Sequence, residues 1–266
     1  MAEPLSEPLL AVERDGQLPF LVEHWYLGSR TRRYMMVRRF REVLEHARLE
    51  PGLDVLDLGC GWAYGTHWAR AAGCRALGID LGMDQLRWAK RALGRDGGPG
   101  LALANARELP FADARFDRAV SVEMMEHVFR PDRPKVFAEI ARVLRRGGRF
   151  SISTPNAASP IEAVKRAAVH WPLLRRSLPS SCFPEAGDDR DAYHPYRYHH
   201  PLPLAELRAC AEAAGLRVEG ARRFLWVMKT APDAALGLGR AAEALAEALP
   251  LVNRLGATTL IWGVKP

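Results

Sequence analysis

The stretch from Leu53 to Gly65, LDVLDLGCGWAYG, constrains this chain more than any other. Val55, Leu56 and Leu58 read as a short apolar strand, with one acid, Asp57, near its end. Gly59, Gly61 and Gly65 follow at once and lead into a helical pattern. A strand that breaks into such a turn lets a ligand lie on bare main chain, because glycine reaches positive φ and has no Cβ to hold the ligand off. The helix that follows begins with unpaired N–H groups. Nineteen residues after Gly61 a second apolar run, ALGID, closes on Asp80. A carboxylate there can accept hydrogen bonds from both vicinal hydroxyls of a ribose. Turn and acid together predict a nucleoside-bearing ligand lying across the ends of the first two strands.

The chain around this stretch alternates. Strands are expected at 53–58, 75–79, 101–104, 116–122 and 149–153, with helices at 64–72, 83–93 and 133–144 between them. Strands separated by helices imply an α/β fold, a doubly wound and mostly parallel sheet with right-handed crossovers, whose ligand lies at the carboxyl ends of the strands. Before this core, Val22 to Ala47 is helical in pattern: Tyr26, Tyr34, Val37, Phe40, Val43 and Leu44 recur at three- and four-residue steps. After Thr154-Pro155-Asn156 the alternation stops. Residues 157–202 read as an insertion with an amphipathic stretch (Ile161, Val164, Ala168, Trp171, Leu174) and a loop ending in YHPYRYHHP. Regularity resumes with a helix over 203–214 that Gly215 stops, a strand over 216–228, an alanine-rich helix over 233–249 and a strand over 258–264. The expected division is an N-terminal helical cap (1–50), a ligand-binding core (51–156), a substrate-side insertion or lid (157–202) and the C-terminal part of the sheet (203–266).

Which nucleoside ligand is meant follows from the spacing. A dinucleotide fold wants G-x-G-x-x-G; here the glycines fall as G-x-G-x-x-x-G, preceded by Asp57. An anion there repels a pyrophosphate and suits a cationic amino-acid head. The pattern D-x-G-x-G-x-x-x-G resembles motif I of the class I S-adenosyl-L-methionine-dependent methyltransferases, of the type 11-like small-molecule kind. Further segments resemble that family in order: Asn105 to Phe111 (NARELPF), Ser121 to Val128 (SVEMMEHV) and Leu144 to Phe150 (LRRGGRF). The run covers about residues 53–155. The resemblance implies a seven-stranded Rossmann-like sheet with the sixth and seventh strands antiparallel. It implies S-adenosyl-L-methionine as cofactor, with S-adenosyl-L-homocysteine as product.

On that resemblance Gly59, Cys60 and Gly61 hold the methionine and ribose parts through their backbone. Asp80 and Leu81 hold the ribose, Asn105 and Ala106 border the adenine, and Asp57 and Glu123 face the amino group. Asn105 stands where the family usually has Asp; its amide carbonyl can still accept from an adenine amino group. Tyr26, Arg30 and Tyr34 have two readings: reaching the methionine carboxylate, or packing the helix on the core.

Acid–base candidates come next. Glu126 and His127 end the fourth strand, and a His near its ordinary pKa can take a proton from a hydroxyl or ring carbon; a structural role bonding neighbouring backbone is the other reading. The segment Tyr193 to His200 holds three His and three Tyr. It can line a pocket for an aromatic or lipophilic acceptor, with His199 or His200 as base, or form a rigid solvated loop. Three His also raise a metal site, but no carboxylate or Cys is spaced to complete it, so no metal is expected. The order strand, TPN, amphipathic stretch, His-containing loop and helix looks like quinone-precursor O-methyltransferases. With Lys165, Arg166, Arg175 and Arg176 it suggests peripheral contact with an anionic membrane.

Composition adds bounds. Across 266 residues, 38 Lys and Arg stand against 31 Asp and Glu, a net charge of +7, and no basic tract interleaves with aromatics, so nucleic acid is not favoured. The four Cys show no paired spacing, which indicates neither a zinc site nor a disulfide framework. No signal segment or membrane-length apolar run is seen, and the expectation is a cytoplasmic protein, monomer or homodimer. The expected function is methyl transfer to a small-molecule acceptor, with oxygen as the favoured atom and nitrogen and carbon open. A nicotinamide oxidoreductase and a non-catalytic methyltransferase-like partner are the alternatives.

Overall fold

The computed structural model describes residues 28–93, 100–171, 199–227 and 231–266. The helices are α1 (Arg30–His46), α2 (Tyr64–Ala71), α3 (Met83–Leu93), α4 (Arg133–Val143), α5 (Pro160–His170), α6 (Leu204–Ala213) and α7 (Leu236–Ala248). The strands are β1 (Asp54–Leu58), β2 (Arg75–Asp80), β3 (Gly100–Leu103), β4 (Phe116–Val122), β5 (Leu144–Pro155), β6 (Arg217–Phe224) and β7 (Thr258–Val264). They form one sheet in the order β3-β2-β1-β4-β5-β7-β6. β1 pairs in parallel with β2 and β4, and β7 runs antiparallel to β5 and β6. This is the doubly wound sheet that the alternation predicts, with the seven strands and antiparallel last pair that the resemblance implies.

All five residues of β1 are buried, as expected of a central parallel strand covered on both faces. Strand alternation sorts its side chains. Val55 joins a core cluster with Val43 and Leu44 of α1, Trp68 of α2 and Trp88 of α3. Leu56 and Leu58 join the opposite cluster with Phe137 and Ile140 of α4 and Leu207 of α6. The next strand after β2 and β3 returns beside β1 on its other edge, so the crevice between β1 and β4 is the point where the winding switches, and ligands bind there.

Four elements depart from the sequence reading. α1 begins at Arg30, capped by the Ser29 hydroxyl accepting from Arg32 N; residues 22–27 and Tyr26 lie outside the described residues. β5 extends over Leu144–Pro155 because Leu144 already pairs with Phe116 ahead of a register shift. β6 stops at Phe224, where its pairing with β7 reaches Thr258 and Leu225 turns to φ 73°. The 233–249 helix divides into a short turn at Asp233–Ala235 and α7.

α1 is held to the far end of the chain. The Asp233 carboxylate accepts from the Ser29 hydroxyl at 2.7 Å and from Arg30 N and Thr31 N at 2.9 Å each. Those bonds hold its pKa well below the usual carboxylate range. Farther along, Glu243 of α7 is buried. It accepts from the Tyr34 hydroxyl at 2.5 Å and from Trp226 N and Val227 N, and it pairs with Arg38. Among the described residues no helix is long and apolar enough to cross a membrane.

Candidate active site

The turn after β1 sits at the carboxyl edge of the sheet. Gly59 has φ +68°, and a Cβ there would collide with the Met124 side chain. Gly61 has φ +51°, and a Cβ there would project into open space. The turn is fastened at two points: Cys60 N donates to Ile79 O of β2 at 2.9 Å, and Gly61 N donates to Asp80 Oδ2 at 2.8 Å. Asp80 Oδ1 accepts from Gly82 N at 2.7 Å. Each oxygen of Asp80 thus keeps acceptor capacity for a ligand hydroxyl, and Leu81 beside it is exposed.

Asp57 points to the α2 side of the sheet and is buried. Its Oδ2 accepts from the Thr66 hydroxyl at 2.7 Å. Burial raises its pKa to about 6, against the opposing effect of the Thr66 bonds. A buried carboxyl in this state gains from a cationic partner. Cys60 is buried too, and burial pushes its thiol well above the ordinary value, so it is a packing residue and not a nucleophile. Asn105 follows β3, with Ala106 half-buried beside it. The Asn105 carbonyl accepts from Arg107 N at 3.0 Å and Arg107 Nε at 3.3 Å, so the turn uses the oxygen that the sequence reading assigns to the adenine.

The second half of the site stands at the ends of β4 and β5. Glu123 has φ +54°, a region that non-glycine residues occupy at a cost of about 1–3 kcal/mol and chiefly at functional sites. Its backbone stays paired, Glu123 N to Ser153 O at 3.1 Å. Its carboxylate accepts from the Ser153 hydroxyl at 3.2 Å and lies 3.4 Å from Arg39 Nε. Glu126 is buried and accepts from the Thr154 hydroxyl at 3.1 Å. Burial raises both carboxyls to about 7, with Arg39 pulling each back down. Both can therefore exchange a proton near neutral pH.

His127 follows on the same short turn, Met125–His127, with Nε2 3.8 Å from Glu126 Oε1. Its ring lies 5.3 Å from the ring of His199, centroid to centroid. The 199–200 segment is strapped to this turn. His200 N donates to Glu126 O at 2.9 Å. The buried Arg133 donates to Val128 O, to His200 O at 2.8 Å and to Glu206 Oε1 of α6 at 2.7 Å.

The fold therefore brings Glu126, His127 and His199 together and leaves His200 exposed, joined to the site by its backbone. Sequence spacing offers no carboxylate beside these histidines; the fold brings one there. Ligand atoms of Glu126, His127 and His199 all lie within 4.8 Å of one another. The carboxylate that spacing failed to supply comes from a different strand end. Tyr34 is drawn elsewhere, its hydroxyl committed to Glu243. Residues 193–198 of the His/Tyr segment lie outside the described residues. Sequence reasoning missed Arg39, Thr66, Arg133 and Thr154; Arg39 was legible only as one of several Arg on α1.

A separate crevice of about 360 Å³ lies at the opposite edge of the sheet, lined by Asp54, Arg70, Arg75, Gly100, Phe111 and Arg115 among others. Asp54 is paired there with Arg75, Arg115 and Arg145, which keep its pKa well below the usual range. That cluster locks strand starts together.

Residues 56–152 match the family model described as a methyltransferase domain. The chain is 36% identical over 136 residues to methyltransferase GfsG of Streptomyces halstedii, covering 50% of this chain and 48% of that protein. It is 36% identical over 120 residues to O-methyltransferase resE of Aspergillus sclerotiorum, covering 44% and 45%. The chain thus spans about half the length of these curated relatives. The solved S-adenosylmethionine-dependent methyltransferase of Mesorhizobium loti superposes with a TM-score of 0.57 at 20% identity, covering 86% of this chain and 97% of that one. The chain therefore carries a methyltransferase domain on the fold of the class I S-adenosyl-L-methionine-dependent methyltransferases.

Proposed function

We propose that this protein transfers a methyl group from S-adenosyl-L-methionine to an oxygen of a small-molecule acceptor. The observation that carries the reading is the meeting, at one carboxyl edge of the sheet, of a glycine turn fastened to Asp80 and an acid–base cluster at Glu126, His127 and His199.

The residues present fit the cofactor. Gly61 faces open space where any side chain would intrude. Asp80 retains acceptor sites for ribose hydroxyls, and the buried Asp57 suits an ammonium group. On this reading Gly59, Cys60 and Gly61 offer backbone to the cofactor, and Leu81, Asn105, Ala106 and Glu123 border it. When bound, the cofactor supplies an activated methyl group on a positively charged sulfur. The protein's work is then to hold an acceptor in line and to manage one proton. Glu123 and Glu126, with pKa values near 7, and the half-buried His127 and His199 supply groups for that proton. Oxygen is favoured because removal of a hydroxyl proton is the task such a cluster suits, and because relatives such as resE are named O-methyltransferases. On this reading the core handles the cofactor, and α1 with the region after β5 handles the acceptor.

Calorimetric titration with S-adenosyl-L-homocysteine tests the cofactor half. The wild type should bind one molecule per chain. Asp80→Ala should weaken binding about 100-fold, a net loss of about 2.7 kcal/mol, the upper worth of one charge-assisted hydrogen bond, with water replacing the other. Equal affinity in the variant would refute the assignment.

A further inference from the structure

We propose that Glu126, His127 and His199 form a site for one divalent first-row transition-metal ion at the acceptor end of the crevice. One carboxylate oxygen and one ring nitrogen from each histidine lie within 4.8 Å of one another. A cation of this class holds such ligands at about 2.0–2.2 Å, which sets neighbouring ligand atoms ~3 Å apart. His127 Nε2 and Glu126 Oε1 stand 3.8 Å apart, within about an ångström of that spacing.

The donor set argues for the kind of ion. Two imidazoles and one carboxylate, with positions left open, suit Mn²⁺, Fe²⁺, Co²⁺ or Zn²⁺. Magnesium and calcium prefer oxygen donors throughout.

Neighbouring groups brace Glu126 and the backbone next to His199. The Thr154 hydroxyl takes one Glu126 oxygen, Oε2, and leaves Oε1 toward His127. His127 shares the rigid Met125–His127 turn with Glu126. His199 is positioned through its neighbour, whose N–H donates to Glu126 O and whose carbonyl accepts from Arg133. Support of this kind behind the ligands is what orients a metal site. Arg39 and Arg133, whose charges favour the ionised Glu126 from a distance, make their hydrogen bonds and close ion pairs elsewhere: Arg39 with Glu123 and Thr258, and Arg133 with Val128, His200 and Glu206. A buried carboxylate left in that position gains from a cation.

The ion's part in methyl transfer rests on the methyltransferase reading; its binding does not. With the ion bound, Glu126, His127 and His199 would serve as its ligands in place of taking the proton themselves; an acceptor hydroxyl oxygen taking an open position would lose its proton to water, because the cation stabilises the oxyanion. That oxygen forms a bond to the methyl carbon as the carbon–sulfur bond breaks, and the electron pair of the broken bond stays on sulfur.

The test uses the full-length protein, stripped with chelator and titrated with Co²⁺ by visible absorption and calorimetry. S-adenosyl-L-homocysteine is titrated in parallel. The wild type should take up one Co²⁺ per chain with a ligand-field band. His199→Ala and Glu126→Gln should each weaken Co²⁺ about 100-fold or more while still binding S-adenosyl-L-homocysteine. If Glu126→Gln does not fold, His199→Ala carries the test, since His199 is only half-buried. No Co²⁺ uptake by the wild type at millimolar concentration, or an affinity that His199→Ala leaves unchanged, overturns the site. Failure of the wild type to bind S-adenosyl-L-homocysteine while still binding Co²⁺ defeats the methyltransferase reading instead.

Discussion

At the β1–β2 end of the crevice, the groups proposed to hold the cofactor come from one short run of chain between Asp57 and Asp80, and they are fixed largely by main-chain bonds such as Cys60 N to Ile79 O and Gly61 N to Asp80. At the β4–β5 end, Glu126 meets His199 from the far side of the insertion, and the meeting depends on side chains, above all Arg133. A turn made of backbone suits a ligand that is the same in every turnover. A cluster assembled from distant side chains can be altered by substitution without disturbing the turn. The two ends should therefore fail separately.

The strongest way to break that separation is Arg133→Ala. Removing a buried guanidinium that serves two carbonyls and Glu206 should cost about 3 kcal/mol or more, which lowers the melting temperature by ~10 °C in a chain of this size. Below the transition, affinity for S-adenosyl-L-homocysteine should stay within about threefold of wild type by calorimetry. A parallel loss of both would show that the two ends are one cooperative unit.

Asp57→Asn sharpens the comparison from the other side. Burial holds this carboxyl at about 6 against an ordinary 3.8. Between those values the folded protein keeps a proton that the unfolded chain has released. The carboxyl's contribution to stability is therefore fully present below pH 4 and is lost as the pH climbs through 6. The rise from 3.8 to about 6 corresponds to about 3 kcal/mol. The variant should be more stable than wild type by up to that amount at pH 8 and indistinguishable at pH 4 in denaturant titrations, while binding the cofactor product more weakly. No gain at pH 8 would mean that the carboxylate is already compensated.

Asp233→Ala should have the smallest effect. The carboxylate caps α1 from 204 positions away in sequence, and its loss should speed hydrogen exchange at residues 30–34 without altering exchange in β1 or β4. Faster exchange in β4 would show that α1 supports the acceptor end more tightly than its contacts indicate.

These differences also explain what was legible in the sequence. β1, the glycine turn and Asp80 could be read because strand periodicity, positive-φ glycines and a strand-end acid are local signals. The helices and strands of the core were placed within a few residues for the same reason. Asp233 on Ser29, Glu243 on Tyr34 and Arg133 on His200 were not legible, since each joins segments far apart in sequence. The two readings of Tyr34 stay open in the sequence because helical spacing gives a face but not its partner, which is Glu243. The metal-capable set escaped notice because ligand spacing was sought within the His/Tyr segment, whereas the carboxylate arrives from the end of β4.

The central claim is that the β1–β2 end grips an adenosine joined to an amino acid, independently of the acceptor cluster. Calorimetric titration of S-adenosyl-L-homocysteine into wild type, Asp80→Ala and His199→Ala tests it most directly. The account predicts one site in the wild type, an affinity about 100-fold lower in Asp80→Ala and near-wild-type affinity in His199→Ala. Binding lost in His199→Ala but kept in Asp80→Ala would contradict it.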